Sequence, residues 1–185
     1  MSEVQELPSA GPYTYKNAYV SQCGLFRYDL IRKWGEGKRF IVIGLNPSTA
    51  DAWQDDPTIR REVAFAKREG CGELLKLNLF AYRATDPKDM KGARDPIGPY
   101  NDENIKGLFR LAVINEWPVV AAWGAHGSFL DRDKEVGMFA DDLGVKLICF
   151  GLTKDFKPKH PLYLSKDTPL VDFSDAVNQA FWGHP

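Results

Sequence analysis

Two asparagines and two histidines stand at the ends of four apolar runs. FIVIGLNPS ends on Asn46 and Pro47, LLKLNLF carries Asn78, VVAAWGAHG carries His126, and LICFGLTKDFKPKHPLYLS carries His160 and Pro161. An amide presents a paired donor and acceptor that matches a nucleobase edge, and a neutral imidazole can donate to an oxygen that gains negative charge. A second amide can orient a water but cannot act as a base. This set would suit a pocket that holds a base and loosens its bond to a sugar. Each motif also has an ordinary structural reading. Asn-Pro is a common turn, a strand Asn can bond a loop backbone, and a Trp-Gly-x-His segment can support a loop from behind.

The elements that would position these residues follow from the same runs. A short apolar stretch ending in polar residues reads as a buried parallel strand opening onto a loop. Strands are expected over 39–45, 73–80, 118–123 and 146–151. DDPTIRREVAFAKREG reads as a helix with Asp56 as N-cap, Pro57 in its first turn and Gly70 ending it; Ile59, Val63 and Ala66 are spaced to face a core. NIKGLFRLAVINE and 126–143 give two more helices. The order βαβαβαβ predicts a three-layer α/β/α fold around a central four-stranded parallel sheet. In such sheets the ligand sits beyond the carboxyl ends of the strands. Residues 18–33 read as a small N-terminal β extension and residues 1–17 as an arm, leaving one domain over 18–185. Residues 81–102 form a long polar loop with no clear apolar period, the kind of segment that is usually functional or disordered.

Composition removes several classes. The 185 residues are 44% hydrophobic and 26% charged, as in a globular chain rather than a disordered one. No apolar run approaches the ~20 residues of a membrane span, and MSEVQELPSAGPY lacks the apolar region of a secretory signal. Cys23, Cys71 and Cys149 fit neither a disulfide framework nor a zinc motif, so a reduced, cytoplasmic setting is expected and no metal or other cofactor is called for. A net charge of −1 does not announce a nucleic-acid binder, but local basic groups exist: Arg60, Arg61, Lys67 and Arg68 in one segment, and Lys154, Lys157 and Lys159 before His160. A solvated helix face is the simpler account of the first cluster, while the second flanks a candidate site loop.

GLNPS, LNLF, WGAHG and HPLYLS, in that order, resemble the motifs of the uracil-DNA glycosylase superfamily. The wider pattern (RYDLIRKWG, NPSTAD, DDPTIRR, NLFAYRATDP, WGAHG and GLTKDFKPKHPLYL) resembles the bacterial and phage family catalogued as domain of unknown function 1643. The superfamily resemblance implies a uracil-DNA glycosylase-like fold and a monofunctional DNA glycosylase that flips and excises a base. Antiphage glycosylases acting on glucosylated hydroxymethylcytosine share this character. DNA with modified bases is then the partner; no membrane and no obligatory protein partner are implied. Asn46 would orient water, with Asp51, Asp55 or Asp56 as the nearby carboxylate, since Asn stands where the superfamily also uses Asp. Asn78 would read the base, Trp53, Phe80 or Tyr82 would stack on it, and His160 would stabilise the departing anion. Leu162 and Tyr163 would fill the gap left by the flipped base. Arg83, Arg94, His126, Lys157 and Lys159 would serve substrate and DNA contacts, and Thr85, Asp86 and Asp95 of the long loop would bond an appended sugar. Two rivals stay open: a binder or hydrolase of free nucleotides, against which the absence of GxGxxG and Walker patterns counts, and an inert DNA-binding module. Fold alone does not choose among them.

Overall fold

The computed structural model describes residues 12–48 and 54–182, the side chains of 178–182 excepted. It is a mixed α/β fold with seven strands and five α-helices among the described residues: β1 (Tyr15–Val20), β2 (Arg27–Lys33), β3 (Arg39–Gly44), α1 (Pro57–Arg68), β4 (Glu73–Asn78), α2 (Pro87–Gly92), α3 (Asn101–Asn115), β5 (Val119–Ala121), α4 (Arg132–Leu143), β6 (Leu147–Cys149), β7 (Val171–Asp172) and α5 (Phe173–Trp182). The sheet order is β1-β2-β4-β3-β5-β6-β7.

The four strands expected from apolar runs are β4, β3, β5 and β6, and they pair in parallel. The expected sheet of four parallel strands is nevertheless too small. β2 adds to β4 antiparallel, with Leu30 opposite Lys76, β1 adds to β2, and β7 adds to β6. The N-terminal hairpin is therefore part of one mixed sheet rather than an appendage. Its first strand begins at Tyr15, earlier than the pattern suggests, because an edge strand alternates exposed and half-buried residues and carries little apolar signal.

Alternation along the strands builds two cores. Ile41, Ile43, Leu75 and Leu77 face α3 and α4, packing with Ile105, Phe109, Val136 and Ala140. Phe40, Val42 and Leu74 face the other way, onto Ile59, Val63, Phe65 and Ala66 of α1. Each of the larger buried side chains contributes about 1.5–3 kcal/mol relative to exposure. The α1 boundaries follow the cap residues: Asp56 accepts from the Ile59 amide, Pro57 opens the first turn and Gly70 leaves at φ +71°.

Two helices start where periodicity does not place them. α3 begins at Asn101 because its first turn is polar, and Asn101 is turned inward so that Nδ2 donates to the Asn78 and Leu79 carbonyls at 3.2 and 2.9 Å. The expected helix 126–143 is split: a 3₁₀ segment runs Gly124–Asp131, and α4 starts only after Leu130 and Asp131, both left-handed at φ 55° and 54°. Arg132, fully buried, then donates to the Leu79 carbonyl at 2.9 Å and to Asp102 and Glu135, locking α3, α4 and the end of β4 together. The long loop 81–102 is not structureless. It contains α2, capped by Asp86 and anchored by buried Met90.

Candidate functional site

The carboxyl ends of β3, β4 and β5, the loop after β6, and the start of α1 enclose a cavity of about 310 Å³. Asn46, Asn78, His126, His160 and Asp56 all line it, so the residues scattered in sequence converge on one cleft. Arg27, Lys76, Ser48, Thr58, Thr85 and Trp123 line it as well.

Asn78 closes β4 and is 1% exposed, and neither its amide nitrogen nor its amide oxygen has a hydrogen-bond partner among the described residues. A buried, unpartnered amide costs stability unless something else binds it. Its strand neighbour Lys76, two residues earlier and on the same face, is 5% exposed and donates to Glu62 Oε1 of α1 at 2.5 Å. Burial pushes the Glu62 carboxyl up, and the Lys76 ammonium opposes that shift. Gly44, in register with Asn78 on β3, leaves the room these groups need: a Cβ there would come 2.6 Å from Lys76 Nζ and 3.0 Å from Asn78 Oδ1.

Asn46 is held by its own amide. Nδ2 donates to the Ala84 carbonyl at 2.8 Å and to the Pro47 carbonyl at 3.1 Å. Its oxygen stays available to accept from a water. Asp56 accepts from Ser48 Oγ at 3.0 Å and from the Ile59 amide at 2.7 Å, so its first role is the α1 cap. A carboxylate has about four acceptor sites, which leaves capacity for a water. Asp55, by contrast, accepts from Tyr13 Oη at 2.5 Å and buried Arg32 Nε at 2.7 Å and does not line the cavity.

His160 is half-buried on the loop after β6. Its Nδ1 accepts from the Leu162 amide at 3.3 Å, which puts the proton on Nε2. Burial and the Lys76 ammonium push its pKa from 6.5 down to about 4, against the pull of Asp56. The imidazole is therefore a neutral donor. Because the folded value lies below the unfolded one, the neutral histidine stabilises the fold above pH 6.5, and that contribution is lost as pH falls from 6.5 towards about 4. NMR titration of the His160 ring should show no protonation down to about pH 5; a midpoint at 6–7 would refute the neutral donor.

Gly124, at φ +71°, passes within 3.7 Å of the His160 Cβ when given a Cβ of its own, and its amide donates to the Pro158 carbonyl at 3.0 Å. The loops after β5 and β6 are thus pinned to each other. His126 is exposed at the rim, with Nδ1 3.4 Å from Lys91 Nζ.

Several expected site residues lie elsewhere. Phe80 is fully buried among the α3/α4-side core residues, 5.6 Å ring to ring from Phe129, because the chain leaves β4 at Asn78 and turns it inward. Tyr82 packs edge-on against Phe26 at 6.0 Å, next to β2. Neither is a cavity wall. Arg83 donates to the Gly24 carbonyl at 3.0 Å, and Arg94 is exposed away from the cavity. Lys157 is tied to Asp133 of α4 at 2.6 Å, which makes it a strut for the loop. Lys159 is half-buried, its backbone amide bonded to the Gly151 carbonyl at 3.0 Å. Leu162 is half-buried and Tyr163 is 89% exposed on the turn that follows His160. In the long loop only Thr85, with Ala84 and Pro87, reaches the cavity; Asp86 caps α2 and Asp95 accepts from the Gly98 amide at 2.9 Å. Asp51 and Trp53 lie outside the described residues. In the basic cluster on α1, Arg61 donates to the Leu164 carbonyl and Arg68 to those of Lys166 and Thr168 at 2.7 Å, clamping the segment beyond His160, while Arg60, Lys67 and Arg68 stay exposed.

Arg27, Lys76 and Glu62 do not stand out in the sequence. A signal for Lys76 exists, since a lysine inside LLKLN shares the parity of Asn78. Glu62 sits at a core-facing spacing between Ile59, Val63 and Ala66.

The family model described as protein of unknown function (DUF1643) matches residues 27–162, well over half of the chain. The chain belongs to this family. Every described residue that lines the cavity falls inside the match. No curated protein and no solved structure matches the chain. Among the described residues no helix is long and apolar enough to cross a membrane, no group of side chains could hold a metal ion, and the three cysteines are free.

Proposed function

We propose that this protein is a DNA glycosylase of uracil-DNA glycosylase-like fold, built on the parallel β4-β3-β5-β6 core. In this reading it is a cytoplasmic antiphage enzyme that excises glucosylated hydroxymethylcytosine. The observation that carries the proposal is the Asn78 amide, buried with both polar atoms unpartnered in a cavity that also holds a neutral histidine. Extrusion of a nucleotide costs a few kcal/mol of unstacking, and the base edge then supplies the partners Asn78 lacks. Water, oriented by the Asn46 oxygen, adds to the sugar C1′ while the C1′–N1 bond breaks and its electron pair leaves with the base. His160 Nε2–H donates to the base oxygen that gains charge. The proton released by the water passes to Asp56 or solvent, and solvent protonates the base. Tyr163, exposed on the turn after His160, would fill the vacated stack.

Buried Arg27 and Lys76 in the same cavity favour a second reading, a binder or hydrolase of free nucleotides that uses them on an anion. Incubation with duplexes carrying uracil, hydroxymethylcytosine or glucosylated hydroxymethylcytosine, with mass spectrometry of released bases, separates the two. Release of the glucosylated base supports the glycosylase. No release from any duplex, with binding of free nucleotides, replaces it with the second reading.

Gly44 provides a sharper check on the cavity. Gly44→Ala should lower the melting temperature as the buried Lys76–Glu62 pair yields to the new Cβ, and in the folded protein it displaces the groups beside Asn78. Misplacement of that size costs about 10²-fold in turnover. Unchanged single-turnover release would remove Asn78 and Lys76 from the substrate-contacting set.

A further inference from the structure

Lys76 has three ammonium protons, and Glu62 is its hydrogen-bond partner among the described residues. It is 5% exposed, lines the cavity, and faces the same Cβ-free space at Gly44 as the unpartnered Asn78 oxygen. A structural ion pair would not need to open onto a cavity. Glu62 holds the ammonium from behind, so its remaining protons are directed by that anchor. Arg27 and Asp56 share the cavity wall with Lys76, and Glu62 stands behind Lys76, so two cations are set against two carboxylates. That near balance suits a neutral polar ligand better than a phosphate.

Building on the glycosylase reading, we infer that Lys76 is a specificity-determining residue: its ammonium donates to an acceptor oxygen attached beside the base edge that Asn78 reads. Unmodified cytosine offers an amino group there and no such oxygen. Two sources supply one: the oxymethyl oxygen on C5 of a hydroxymethylated cytosine, and the 4-oxo group of uracil.

The experiment compares the full-length wild type with Lys76→Met/Glu62→Gln, which removes the ammonium without leaving a buried carboxylate unpaired. Single-turnover release is followed on duplexes of one sequence carrying cytosine, hydroxymethylcytosine, glucosylated hydroxymethylcytosine or uracil. Binding of free cytosine, 5-hydroxymethylcytosine and uracil is followed by NMR chemical shifts. The double variant should lose about 10–100-fold towards oxygen-bearing bases, the worth of a hydrogen bond to a charged group, with cytosine unchanged. Selective loss on the hydroxymethylated bases assigns the oxygen to the C5 substituent; selective loss on uracil assigns it to the 4-oxo group. Equal loss on all bases, or none, overturns the inference. If the wild type releases no base, the glycosylase reading fails by itself, and the free-base titrations decide Lys76: selectivity lost in the variant supports it, and no selectivity in the wild type overturns it. If the double variant is unfolded at the assay temperature, Lys76→Gln takes its place: selective loss supports the inference, and equal loss or none overturns it.

Discussion

Replacing His160 by alanine should slow single-turnover base release by about 10²–10³-fold, the effect of losing one donor aimed at developing charge, about 3–4 kcal/mol at the transition state. Asn46→Ala should fall in the same range. The His160 side chain contributes a single Nε2–H, held by the backbone bond from Leu162 to Nδ1. Being neutral, it gains in interaction as the base becomes an anion and carries no ammonium-like charge that would bind ground state and transition state alike. His160→Gln, which restores a donor, should recover part of the loss. Circular dichroism and melting temperatures would establish that the variants fold. Near-wild-type rates for both alanine variants would end the catalytic assignment.

The second large effect is discrimination between bases. The cavity wall carries the Asn78 amide, the Lys76 ammonium, Ser48, Thr58 and Thr85. Polar groups built to bind a substituent and left unpaired by its absence can reject an analogue by roughly 10⁴. Release of glucosylated hydroxymethylcytosine should therefore exceed release of plain cytosine by about that factor on one duplex sequence. Thr85, Ala84 and Pro87 bring the long loop to the cavity, so shortening this loop should reduce the ratio more than the rate on uracil. Equal rates on uracil and the glucosylated base would leave the loop without a role in selection.

Much of this arrangement is legible in the sequence, and the reasons are physical. β3 and β4 are buried on both faces, so their apolar runs stand out. α1 carries its start in Asp56-Pro57 and its end in Gly70. Asn46, Asn78, His126 and His160 can be placed together because each ends or follows a strand of one parallel set. Other parts leave little trace. β7 has two residues and exists by pairing with β6, a tertiary fact. The break before α4 rests on two left-handed residues, Leu130 and Asp131; leucine gives no hint of that backbone, and aspartate, though tolerant of it, gives only a weak one. Proximity in sequence misleads for Phe80 and Tyr82, because the strand ends at Asn78 and alternation no longer applies beyond it. Lys76 and Glu62 are hidden for the opposite reason. Each sits inside a strong apolar pattern, and only the packing of α1 on β4 shows that the two charges meet beneath the cavity.

The bond from Asn46 to Ala84 has a practical consequence. Nδ2 of Asn46 donates to the Ala84 carbonyl at 2.8 Å, and the Ala84 amide donates to the Pro47 carbonyl at 3.0 Å. This reciprocal pair fastens the segment proposed to select the substrate to the residue proposed to position the attacking water. Loop grafting to retarget the protein is thereby constrained: a transplanted segment must reproduce a main-chain donor and acceptor at position 84, or the new preference arrives with a disoriented nucleophile. Beyond that anchor Asp86 caps α2 and Met90 fills the core, so both are kept, and position 85, on the cavity wall, is the natural first site for a directed library.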